Sequence, residues 1–207
     1  MVTFFDGAAQ ALHGFAVTNP WLTPVVTWGT AGFLILCPVG FFLFWVWDRR
    51  LRPGVAGLLG LVLTQWASHE MGKLTYQPRP FVTLHFTPLF PHTPNNSFPS
   101  SLTAFAAVAA VIGVLAWGRR ALVFVVGVVV VGFGCVYVGV HYPSDVVVGA
   151  ALGTVCGGLT WLIAGGRPVA RVLNAVERRL PKRRRSKAST PAESRPRDSV
   201  RVPTAAS

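Results

Sequence analysis

Residues 121–164 read ALVFVVGVVVVGFGCVYVGVHYPSDVVVGAALGTVCGGLTWLIA. Two apolar runs, 121–140 and 146–164, are parted by His141-Tyr142-Pro143-Ser144-Asp145. Each run is about as long as a helix needs to cross the hydrocarbon layer of a bilayer. The stretch therefore predicts two membrane helices joined by a short polar turn. Pro143 suits the boundary of the second helix, and Ser144 or Asp145 suits its cap. The turn also sets a His and an Asp four residues apart, one above the other if the segment is helical. Ionisable groups at membrane depth are costly and point to function. A carboxylate that accepts one imidazole N–H fixes the tautomer and leaves the other nitrogen free as a nucleophile or base.

Working outward, three more apolar segments cover 21–47, 54–71 and 102–118. The chain of 207 residues is 52% hydrophobic and only 13% charged, about half the charged share of a soluble domain. Of its 19 Lys and Arg residues, 12 fall between Arg167 and Arg201. The net charge of +12 thus belongs to a basic tail on a membrane protein and excludes a uniformly basic nucleic-acid binder. Cys37, Cys135 and Cys156 sit inside apolar segments and read as small core hydrophobes, with no spacing for a disulfide framework or a metal site.

The fold expected is an all-α, polytopic membrane bundle of five spans. Basic residues at 49–52, at 119–120 and after 166 fall on one side of such a bundle. The positive-inside rule makes that side cytoplasmic and puts the N-terminus outside. The chain divides into an interfacial N-terminal helix (1–20), the membrane domain (21–166), a basic interfacial helix (167–181) and a disordered basic cytoplasmic tail (182–207). The tail, with Lys182-Arg183-Arg184-Arg185, is expected to meet anionic lipid rather than nucleic acid.

Three polar clusters face the expected outer side. They run from Lys73 to Phe81, from Ser97 to Leu102 and from Gly134 to Asp145, and the Pro-rich loop 78–101 joins the first two. Arg79 can bind two phosphate oxygens and Lys73 adds a point charge. Ser100, at the mouth of a span, can donate to a third oxygen beside a helix N-terminus. With the His141–Asp145 pair, these are parts of a phosphoryl-transfer site that needs neither metal nor cofactor.

These motifs resemble the type 2 phosphatidic acid phosphatase superfamily of membrane lipid phosphatases. The stretches QPRPFV, LFPH, NNSFPS and GVHYPSDVVVGAALG are similar to bacterial undecaprenyl diphosphate phosphatases of that superfamily. The resemblance covers residues 54–165. It implies that His141 attacks phosphorus to form a phosphohistidine, that Asp145 orients it, and that Lys73, Arg79 and Ser100 hold the phosphate. It also implies a multi-pass protein of the cell membrane, a lipid phosphate or polyprenyl diphosphate substrate, and a part in cell-wall biogenesis.

The chain departs from the family pattern at three places. Gly72 stands where the first motif carries Lys, and Lys73 is one residue too close to Arg79. Leu102 stands where the second motif carries the His that protonates the leaving group. Gly134-Cys135 stands where the third carries Ser-Arg. His85 and His92, in the loop, are the other candidates for a proton donor. The departures raise a second reading, a catalytically impaired member that serves as a lipid-phosphate binder or as a membrane subunit with a protein partner.

Overall fold

In the computed structural model, residues 2–179 are described, and they are helical with no strand among them. The tail expected at 182–207 lies outside the described residues. Helix α1 spans Val2–Thr18, α2 Leu22–Asp48, α3 Leu51–Leu74 and the short α4 Pro80–Thr83. They are followed by α5 (Ser101–Trp117), α6 (Leu122–Tyr137), α7 (Pro143–Gly165) and α8 (Arg167–Arg179). Helices α2, α3, α5, α6 and α7 lie over the five apolar segments read from the sequence.

Three stretches are long and apolar enough to cross a membrane: Leu22–Asp48, Ser101–Tyr137 and Pro143–Gly165. The second contains the 3₁₀ turn Gly118–Ala121 and so holds two helices, α5 and α6, packed on each other. Gly118 makes the break with a φ of 61°, a conformation that favours glycine. Helix α3 is long but less apolar, because Gln65, His69, Glu70 and Lys73 occupy its second half.

The centre of the bundle is α5, packed against α7, α3 and α6. Small residues set its distance from α7. A Cβ on Gly149 would overlap the Ser100 carbonyl oxygen, and one on Gly153 would overlap the Ala104 carbonyl oxygen. A Cβ on Gly157 would sit 3.3 Å from the Val108 Cα. Glycines four apart thus form a stripe on which the α5 backbone rests, the usual means of close helix approach in membranes. Around this seam Val108, Ile112, Phe124, Val131 and Tyr137 are buried.

Polar contacts sort the two ends of the bundle. At one end Arg50 Nη2 donates to the Ala116 carbonyl (3.2 Å) and Trp117 Nε1 to Asp48 Oδ2 (3.0 Å). There too Leu51 N donates to Glu177 Oε1, and the Arg52 guanidinium lies 3.9 Å over the Trp161 ring. The segments around 50, 117 and α8 therefore meet. At the other end Ser100 N donates to the Asp145 carbonyl (3.1 Å), which joins the first turns of α5 and α7.

Candidate functional site

Helix α7 starts at Pro143 as its sequence predicts, but the N-cap residue is Tyr142 and not Ser144 or Asp145; Asp145, the third helical residue, closes the start from inside the first turn. The Asp145 Oδ2 accepts from the Tyr142 backbone N–H at 2.9 Å. It also accepts from Ser97 Oγ at 2.9 Å. Asp145 is completely buried, and its Oδ1 has no hydrogen-bond partner. The capping role and the paired-carboxylate role therefore reside in one side chain: it closes the helix start and it faces His141. The separation of His141 Nδ1 from Asp145 Oδ2 is 3.6 Å, beyond hydrogen-bond length but within ion-pair range.

On the far side of the His141 ring stands Arg79. Its Nη1 lies 3.3 Å from His141 Nε2 and donates to the Val140 carbonyl at 2.8 Å. Its Nε donates to Asn95 Oδ1 at 2.8 Å and its Nη2 to the Asn96 carbonyl at 3.3 Å. A guanidinium can only donate, so the Nε2 that faces it presents its lone pair. The proton then sits on Nδ1, toward Asp145. Burial lowers the Arg79 guanidinium from its ordinary value and Asp145 opposes that shift. An arginine starts so far above neutrality that it stays charged. Arg79, His141 and Asp145 thus form one line from cation to imidazole to carboxylate, each 5% exposed or less.

Ser100 is at the N-cap of α5, completely buried, with its Oγ 3.0 Å from Thr103 Oγ1. Its side chain makes no cap bond, so the first-turn amides of α5 remain open. Through its backbone bond to Asp145 it belongs to the same cluster. Cys135, buried on α6, lies beside Ser100 and within the field of Arg79.

The remaining residue expected at the site, Lys73, stands apart from these contacts. Its Nζ pairs with Glu70 Oε1 at 2.9 Å, one helical turn back on α3. It lines a polar cavity of about 310 Å³ with Gln65, Ser68, His69, Asn96 and Ser101. Leu102 turns elsewhere too. It lines an apolar cavity of about 510 Å³ with Phe33, Phe41, Leu58 and Phe105. Neither Leu102 nor Cys135 supplies the acid or the cation that the motif pattern would put there.

Sequence reasoning assigned no role to Asn95, Asn96 or Ser97, although Ser97 opens the second polar cluster. Asn95 and Asn96 hold Arg79, and Ser97 holds Asp145. Asn96 further anchors the loop by accepting from Gln77 N (2.9 Å) and donating to the Gly72 carbonyl (2.9 Å). The available signal was a run of short polar residues inside a loop otherwise rich in proline. Such residues bond backbone and neighbours more readily than long ones do. Among the described residues no group of three or more His, Cys, Asp and Glu could hold a metal ion.

Comparison with known proteins gives a consistent picture. The PAP2 superfamily model matches residues 53–168. The chain is 28% identical over 144 residues to undecaprenyl-diphosphatase BcrC of Bacillus subtilis (strain 168), covering 66% of this chain and 72% of that one. It is 27% identical over 142 residues to the putative undecaprenyl-diphosphatase YbjG of Escherichia coli (strain K12), with 66% and 70% covered. Among solved structures, Aquifex aeolicus LpxE superposes with a TM-score of 0.61 at 27% identity, over 74% of this chain and 92% of that one. The transmembrane PAP2-type phosphatidylglycerolphosphate phosphatase of Bacillus subtilis superposes with a TM-score of 0.57 at 26% identity, over 77% and 85%.

Proposed function

The chain belongs to the PAP2 superfamily, and from that premise we propose that it is a multi-pass phosphatase of the cell membrane that hydrolyses a polyprenyl diphosphate at the outer face. The observation that carries this reading is the line from Arg79 through His141 to Asp145. It aims the Nε2 lone pair at a fixed cation, and a terminal phosphate binding that guanidinium would take its place before Nε2 and be attacked. His141 Nε2 bonds to phosphorus, the bridging P–O bond breaks, and the lipid monophosphate leaves. Water then attacks the phosphohistidine and releases inorganic phosphate. Asp145, 3.6 Å from Nδ1, keeps its negative charge beside the Nδ1 proton, and Arg79 with the open amides of α5 takes the charge on the phosphoryl oxygens. Ser100 adds a hydroxyl, and Lys73 serves as an outer charge once substrate draws it from Glu70. The apolar cavity beside Leu102 suits a hydrocarbon tail, and such a substrate fits a role in cell-wall biogenesis.

The test is phosphate release from undecaprenyl diphosphate by the purified protein, with acid-labile label on His141 after a brief exposure to substrate radiolabelled at the terminal phosphate. Binding without release, and without label, would favour the second reading, a lipid-phosphate binder or membrane subunit. Two observations lean that way: Leu102 lies against apolar side chains, and Cys135 is buried without charge.

The proposal includes five spans, α2, α3, α5, α6 and α7, with the basic end of the bundle in the cytoplasm. Helices α1 and α8 then lie along the two interfaces, and the tail beyond α8 meets anionic lipid. On intact cells a membrane-impermeant maleimide should label a Thr93→Cys protein and leave Arg120→Cys unlabelled. Both positions are exposed and the three native cysteines are buried. The opposite labelling pattern would remove both the topology and the outer-face site.

A further inference from the structure

We infer that His92 is the proton donor and acceptor of this site, doing the work that the chain does not assign to position 102. The inference rests on the phosphatase reading. Cleaving a phosphate ester leaves an alkoxide unless an acid protonates the departing oxygen, and such an acid is worth about 10²–10⁴-fold in rate. The groups around His141 mostly cannot serve. Arg79 keeps its proton. Asp145 lies on the Nδ1 side and is engaged by Ser97 and the Tyr142 amide. Lys73 is paired with Glu70. His85, in the turn after α4 with a left-handed φ of 54°, lacks the hydrogen-bond link to the Arg79 loop that His92 has.

His92 is tied to the same loop unit that positions Arg79. Its Nδ1 lies 3.1 Å from the Thr93 carbonyl, to which it donates. The Asn95 backbone N–H donates to that carbonyl as well, at 2.9 Å. The Asn95 side chain in turn accepts from Arg79 Nε. Imidazole, loop turn, guanidinium and nucleophile are thus linked in sequence, and Pro91 and Pro94 restrict the backbone on either side of His92. Because Nδ1 is committed to the carbonyl, Nε2 is the nitrogen that gains and loses the proton. The residue is exposed, in the loop whose Asn95 and Asn96 hold Arg79.

The step balances. As His141 Nε2 forms the P–N bond, the P–O bond to the leaving group breaks and that oxygen takes the proton from His92 Nε2. In the second half, neutral His92 takes a proton from the attacking water, the P–N bond breaks, and phosphate departs. The charged and titratable groups that act on His92 are Arg79 and His141. Partial burial pulls its imidazole below the ordinary value; the Thr93 carbonyl opposes this, and the positive Arg79 adds to it. The acid form is therefore lost as pH rises through that lowered value, which puts a limb on the alkaline side of the rate profile.

The experiment compares wild type with His92→Gln on phenyl phosphate, 4-nitrophenyl phosphate and undecaprenyl diphosphate. The expected loss in kcat is about 10²-fold or more for phenyl phosphate, whose leaving group needs a proton. It should be under about tenfold for the other two, whose leaving groups are stable as anions. The alkaline limb with phenyl phosphate should vanish in the variant. An equal loss on all three substrates, or no loss, overturns the assignment. Phosphohistidine trapped from 4-nitrophenyl phosphate shows that the variant is folded. A variant that neither traps label nor turns over any substrate also counts against it, since a proton donor alone is not needed for that trap. A wild type that releases no phosphate, or a His141→Ala protein as active as wild type, overturns the phosphatase reading itself and this inference with it.

Discussion

His141→Ala should lose phosphate release by on the order of 10⁴-fold or more, the scale seen when a nucleophile is removed from an otherwise intact site. The size follows from the arrangement. The Nε2 atom sits 3.3 Å from Arg79 Nη1, where a bound phosphate would be held. Asp145 separates chemistry from folding. In Asp145→Asn the amide oxygen can still accept from the Tyr142 N–H or Ser97 Oγ, so α7 keeps its cap while the negative charge beside Nδ1 is gone. Activity should fall by about 10²-fold or more with little change in melting temperature. Asp145→Ala should lose the cap as well, at about 1 kcal/mol of stability. Measuring turnover and thermal unfolding on the same detergent-purified samples checks all three. A His141→Ala protein within tenfold of wild type would remove the phosphohistidine route.

Gly153→Leu should prevent the bundle from assembling. The new Cβ alone would overlap the Ala104 carbonyl oxygen and lie 2.9 Å from the Ala107 Cβ. A backbone carbonyl cannot swing aside as a flexible side chain can, so α5 and α7 must separate along their length. The cost should reach about 3 kcal/mol or more, at or beyond the upper end for overpacking. Gly158→Ala is the control. Nothing lies within 4 Å of a Cβ there, and alanine is the better helix former by about 1 kcal/mol. Folded yield and melting temperature should drop steeply for the first and hold or rise for the second. A Gly153→Leu protein that melts like wild type would mean the α5–α7 seam is not the core of the molecule.

Much of this was readable because a membrane segment announces itself by length and composition. The break at residues 141–145, the end of α5 at Gly118 and the polar lower half of α3 all leave local marks. The shared polar cluster was readable for a related reason: Arg79, Ser100, His141 and Asp145 each sit at the mouth of a helix or next to a proline, so their side of the bundle follows from counting segments. Long-range pairing left no such mark. Asn95 reaches back 16 residues to Arg79, and Ser97 reaches forward 48 to Asp145, and nothing near either residue names its partner. Lys73 is the opposite case, a local pairing. Its charge suggested phosphate, but Glu70 is three residues away on the same helix, and neighbours at that spacing find each other first. The second-motif position illustrates a third limit. Leu102 reads as a missing acid in the motif, whereas in space it is a wall of the apolar cavity.

The glycine stripe of α7 carries one more implication. Because Gly149 and Gly153 come closest to the carbonyl oxygens of Ser100 and Ala104, the spacing between Ser100 and Asp145 is set chiefly by two backbones. Scaffold and reactivity are therefore separately adjustable in this molecule. The closest contacts of that seam involve neither the Leu102 nor the Cys135 side chain. It is a mount whose alignment does not depend on which instrument is fitted to it.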